Sequence, residues 1–294
     1  MKFGLRKRDW HFAPTGVQRT ETDDSAVQHG SCVASKAAGA GFGVSRESRL
    51  IILKASRRVS NLSWALYKAR DDIAANNRQG KSVVLFAKSN SEPGIPAGEE
   101  WPRMRSYMKE LFDMDVVVVN SAGNKGTQQG RRQIDTVPQI YESSDFPLIV
   151  AGAVDNEGLR VPLSQGPAHV TAWAPGFNVG CVRGRFTSGT GTSASAGAVS
   201  RSQWRKRKYF AALADLDLQV AGLVAYFLGL DPPPFAVGGG NTAKNVKRFL
   251  QTTASWQRNP GGPENVVWNL EDGTIAAPHL NTSDFQNLSS IATS

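Results

Sequence analysis

The sequence holds only two cysteines, Cys32 and Cys181, too few for a disulfide framework. Both read as small, half-buried apolar residues, with a single bridge as the other reading. Long apolar runs are also missing, so no membrane partner is expected. The start, Met1 to Arg8, carries cations with no apolar stretch behind them and does not read as a signal peptide. Acidic residues are the scarcer charge, 25 against 34 Lys and Arg, for a net +9. That excess is uneven. Residues 1–9 carry +3 (Lys2, Arg6, Lys7 and Arg8 against Asp9), and residues 197–219 another +3, from five cations between Arg201 and Lys208 against Asp215 and Asp217. A face that tracks a phosphate backbone should run across a folded domain, so no nucleic-acid partner is expected.

What is present suits a globular chain. At 294 residues, 40% hydrophobic and 20% charged, it has room for one large α/β domain or two small ones. No internal repeat is evident. A small-residue helix runs from Cys32 to Ala38 and stops at Gly39-Ala40-Gly41. Leu50 to Lys54 reads as a buried strand, and Ser60-Asn61 opens a helix through Trp64, Leu66 and Ile73. Further strands are expected at Ser82–Ala87, Asp115–Val119 and Leu148–Val154, with helices at Glu99–Leu111 and Thr242–Thr253. Strands alternating with helices imply crossover units and a parallel sheet covered on both faces. From Trp256 onward Asn, Gly, Pro and Ser dominate, and that tail reads as surface loop.

Three segments carry chemistry: His29-Gly30-Ser31-Cys32-Val33-Ala34, Val116 to Asn124, and Gly191-Thr192-Ser193-Ala194-Ser195. Each is weak alone. A histidine before Gly-Ser is most often a surface residue beside a helix cap, and an asparagine after Ser-Ala-Gly is most often a turn residue. Gly-Thr-Ser is common in loops. Together they supply a hydroxyl to attack, an imidazole to take its proton and an amide to hold an oxyanion, the parts of acyl transfer.

The order and surroundings of these segments resemble the subtilisin-like serine proteases, from about Asp23 to Trp268. The resemblance implies a three-layer α/β/α fold with a mostly parallel sheet. It makes Ser193 the nucleophile, His29 the general base and Asn124 an oxyanion donor, with polypeptide substrates paired beside Val83–Ala87. It implies secretion or a vacuolar compartment, a monomer, and no cofactor; calcium enters only because it is common in the family. The resemblance divides the chain into residues 1–22, which do not match, and a peptidase domain over residues 23–294.

Two departures stand out. The family's third catalytic residue is an aspartate at the end of an interior strand some thirty residues before the histidine. No Asp-Thr-Gly or Asp-Ser-Gly precedes His29, so the strand carrying that aspartate is expected to be absent and this chain weakly active or inactive. Asp23 and Asp24 read as solvated loop acids. The second departure is 197–219, which separates Ala196 from Val220-Ala221-Gly222 and is either a basic insertion or a retained intron. The alternative function is a non-catalytic relative that binds peptide segments. Asn61, Asn281 and Asn287 stand in Asn-x-Ser frames.

Overall fold

The computed structural model describes residues 8–23, 28–39, 43–56, 58–183, 185–190 and 220–267. Its first elements are β1 (Arg8–Phe12), α1 (His29–Ala38), β2 (Leu50–Lys54), α2 (Val59–Ala75), β3 (Val83–Leu85), α3 (Glu100–Asp113) and β4 (Val117–Ser121). Then come β5 (Ile149–Val154), β6 (Ala172–Pro175), β7 (Val179–Arg183), β8 (Arg185–Gly189), α4 (Val220–Leu228), α5 (Thr242–Thr252), β9 (Ser255–Trp256) and β10 (Val266–Val267). The strands predicted at 50–54, 115–119 and 148–154 form within two residues of their expected bounds, and the one at 82–87 is shorter.

The valine run before Asn120 shows why helices cover both faces. Side chains alternate across a strand. Val116 and Val118 enter one apolar cluster with Leu66 of α2 and Met104, Met108 and Leu111 of α3. Val117 and Val119 enter a second with Leu223 and Phe227 of α4 and Phe249 and Leu250 of α5. Strand β5 repeats the division, Val150 to the first cluster and Ile149 and Ala151 to the second. A strand buried on both faces needs no polar alternation, so it reads as a continuous β-branched run.

The main sheet runs β3-β4-β5-β6-β10-β9, parallel through β6 and β10 and closed by the antiparallel β9. Strands β9 and β10 lie in the tail expected to be loop; Val266 and Val267 are buried there, and two apolar residues suffice to extend the sheet. Residues 268–294 lie outside the described residues.

Strand β1 lies in the N-terminal stretch to which the sequence assigned no element. It pairs parallel with β2, Arg8 beside Leu50 through Phe12 beside Lys54. Asp9 of this strand pairs with Arg49, and His11 Nε2 lies 3.4 Å from Asp72 Oδ1. Trp10 and Phe12 stack at 6.1 Å. Strands β1 and β2 form a sheet of their own. Among the described residues, β2 therefore keeps one unpaired edge, as does β3, and both strands are only half-buried where β4 and β5 are fully buried. No described strand lies between them.

Helix α4 packs on α1, β3 and β4. Gly222 allows that approach: a Cβ there would lie 2.9 Å from Val44 Cβ and 3.0 Å from the Ala37 carbonyl oxygen. Cys32 is disulfide-bonded, which corrects its reading as a free apolar residue. Helix α1 packs against β7, and the side chain of Cys181 on that strand lies outside those described.

Candidate active site

His29 is the first residue of α1, after Gln28 in a left-handed conformation (φ 43°, ψ 43°). No side chain at the cap position satisfies the helix start. Asp23 does so from six residues upstream of His29: its Oδ2 accepts the Ser31 N–H at 2.8 Å. A carboxylate there also opposes the positive end of the helix dipole. Asp23 is thus a helix cap, where the sequence suggested a solvated acid. Asp24 lies outside the described residues.

Asn124 is exposed, three residues beyond the carboxyl end of β4. Its loop is held from below by amides that the sequence reading passed over. Asn120, fully buried, donates to the Lys88 carbonyl at 3.0 Å and accepts the Ser121 N–H. Gln139 Nε2 donates to the Ser121 carbonyl at 2.7 Å and to Asn120 Oδ1 at 3.2 Å. Gly123 has φ +104°, and a Cβ there would meet Gln165 Oε1 at 2.3 Å, so only glycine fits this turn. Gln165 itself donates from Nε2 to the Arg131 and Gln133 carbonyls and to Asp135 Oδ1. The available signal was amide side chains set beside apolar runs, where a buried polar group demands partners.

The segment leaving β3 is zipped to the loop after β4. Asn90 exchanges hydrogen bonds with Val137, and the Gly94 N–H donates to Asp135. Lys125 Nζ and Arg131 Nη1 both donate to the Ser91 carbonyl. Burial raises the Asp135 carboxyl, but hydrogen bonds from Arg131 and Gln165 outweigh it and hold the group below the usual carboxylate range.

Asn124 follows the carboxyl end of the parallel strand β4, the edge where α/β folds place their ligands, and His29 opens α1. Helix α4 contacts both α1 and β4, linking the elements that carry them. Ser193 and 197–219 lie outside the described residues. Among the described residues no group of three or more His, Cys, Asp or Glu is placed to hold a metal ion, so no step is assigned to calcium. No described helix is long and apolar enough to cross a membrane. Asn61 is buried inside α2, its Nδ2 donating to the Thr15 carbonyl and Ser56 Oγ; Asn281 and Asn287 lie outside the described residues.

The model of the subtilase family matches residues 7–254. The chain belongs to the subtilase family. Subtilisin-like protease 2 of Trichophyton rubrum is 26% identical over 258 residues, covering 85% of this chain and 51% of the relative. Subtilisin-like protease 3 of Pseudogymnoascus destructans is 25% identical over 218 residues, covering 72% and 45%. This subtilase thus spans about half the length of the curated relatives it matches. A crystal structure of a cold-adapted subtilisin-like serine proteinase superposes with a TM-score of 0.59 at 18% identity, covering 83% of this chain and 75% of that one, and shares its fold.

Proposed function

We propose that this subtilase hydrolyses peptide bonds of polypeptide substrates through an acyl-enzyme on Ser193. Oγ of Ser193 attacks the scissile carbonyl carbon while His29 takes its proton. The carbonyl oxygen becomes an oxyanion, held by the Asn124 amide and the Ser193 N–H. Collapse breaks the C–N bond, and His29 returns the proton to the leaving amine; water then repeats the sequence to free the acid. The carrying observation is the placing of Asn124 on a glycine-dependent turn at the carboxyl end of β4, braced by Asn120, Gln139 and Gln165. Removing such a donor lowers turnover by roughly 10²–10³.

The carboxylate that orients His29 belongs, on this reading, to a strand seated between β2 and β3, each of which has one edge with no described partner. The same edges favour a second reading, a subtilase that binds peptide segments without cutting them. The bridge at Cys32 supports folding in an oxidising compartment.

A fluorophosphonate probe tests the proposal. It should label Ser193 when the chain is joined to an upstream strand ending in Asp-Thr-Gly, and Ser193→Ala should abolish the label. The unsupplemented chain should label slower by roughly 10⁴, the order seen on losing the orienting aspartate. Label on another serine, or none in the folded, completed chain, sinks the protease reading.

A further inference from the structure

Near Asn124, two cations converge on one neutral acceptor. Lys125 Nζ and Arg131 Nη1 both donate to the Ser91 carbonyl oxygen. Arg131 is already matched by Asp135 through two bonds, Nε to Oδ2 at 2.6 Å and Nη2 to Oδ1 at 2.9 Å. Lys125 has no such match: among the described residues it forms no ion pair, and its ammonium has donors to spare beyond the Ser91 carbonyl. The two loops that meet here, residues 86–99 and 122–138, hold four cations against three carboxylates, and one of the three, Glu99, lies 3.7 Å from Arg103 of α3. A carbonyl dipole satisfies a donor without cancelling a charge. The corner therefore presents net positive charge to whatever lies beside Asn124.

We propose that this corner selects substrates with an acidic side chain, aspartate or glutamate, on the residue whose carbonyl Asn124 polarises. The proposal rests on Asn124 as the oxyanion donor. The side chain of that substrate residue branches one bond from the polarised carbonyl. Lys125 follows Asn124, so its Cα stands 3.8 Å from that of Asn124, within reach of the same substrate residue. An incoming carboxylate pairs with Lys125 and takes the donors that water or Ser91 now satisfy. A lysine or arginine on the substrate meets like charge, which costs affinity by a similar amount. Glu92, beside Ser91, is exposed and solvated; its charge raises the pKa of Arg131 only as a minor contribution after Asp135. It leaves Lys125 unmatched.

The test is equilibrium binding to the full chain, read by fluorescence anisotropy with labelled Ala-Ala-Ala-X amides in which X is Glu, Gln or Lys. At low salt the Glu peptide should bind about fivefold tighter than the Gln peptide, the order expected of one partly exposed pair. High salt should erase the difference. Lys125→Glu should reverse the order in favour of the Lys peptide. Equal binding of all three, a preference for Lys in the unaltered chain, no binding of any, or a Glu preference that survives Lys125→Glu each overturns the proposal. Fluorophosphonate labelling of Ser193 in the strand-completed chain is read in parallel. Label without a Glu preference removes the proposal and leaves the protease reading standing, whereas a Glu preference without label supports an acidic-peptide-binding relative.

Discussion

The Gln165 backbone N–H donates to the Gly123 carbonyl at 3.0 Å, while the Gln165 side-chain oxygen packs where a Cβ of Gly123 would be. One residue thus holds the turn that carries Asn124 from two sides. Its Nε2 meanwhile binds the 131–135 loop at three acceptors. Gln165→Ala should leave buried acceptors unsatisfied and lower stability by about 1–3 kcal/mol in urea unfolding. Gln165→Glu should do no better at neutral pH, because a carboxylate accepts where donors are needed. A loss below about 0.5 kcal/mol in both variants would show that the loop stands without Gln165.

Asp115 predicts how the protein responds to acid. Its carboxylate caps α5, accepting the Thr242 N–H at 3.2 Å and the Thr242 hydroxyl at 2.8 Å. Burial pushes its pKa up, and the donors of Gly240, Thr242 and Asn241 together push it further down, so the folded value lies below the ordinary 3.8. A depressed carboxylate stabilises the fold above its unfolded pKa and loses that contribution as pH falls through the folded value. Asp135 acts with the same sign. Urea midpoints should therefore hold near neutrality and drop below about pH 4. Asp115→Asn should be less stable than the parent at pH 6, and the gap should narrow toward pH 2.5. A gap that widens in acid would contradict the sign.

Asn61 stands in a glycosylation frame yet is 5% exposed, inside α2, with Nδ2 engaged by the Thr15 carbonyl and Ser56 Oγ. A glycan on that nitrogen would replace both bonds with a bulky polar group in the interior. Folded protein from a eukaryotic secretory host should carry no glycan at Asn61 by peptide mass mapping. Full occupancy there in soluble, cooperatively unfolding protein would mean that α2 does not pack as described.

The main sheet was legible because its strands are extreme cases. Val116–Val119 and Leu148–Val154 are apolar on both faces, and no other element suits such a run so briefly bounded. His29 and Asn124 were found because each sits in a motif that extends beyond itself. Strand β1 was hidden by Asp9 and His11, polar residues whose partners Arg49 and Asp72 are distant in sequence. Hairpin β7–β8 and the short pair β9–β10 offered too few residues to show a period. Gln139 and Gln165 show in the sequence only as amides beside apolar runs, because the partners through which they brace the turn lie 18 to 42 residues away. The bridge at Cys32 depends likewise on distance in space, which cysteine count does not reveal.

The edges of β2 and β3 that find no partner among the described residues have a consequence for the protein in bulk. Each presents a row of backbone donors and acceptors flanked by apolar residues, Leu50 to Leu53 on one and Val83 to Leu85 on the other. Such an edge is a template for any extended chain, including another copy of itself, and the charged guards are confined to the strand ends, Arg49 and Lys54 at one and Lys81 and Lys88 at the other. Concentration then decides the fate of the molecule. Dilute chains keep their edges solvated, while crowded ones join edge to edge, and a strand that fills the slot protects the protein from aggregation by the same hydrogen bonds with which it completes the sheet.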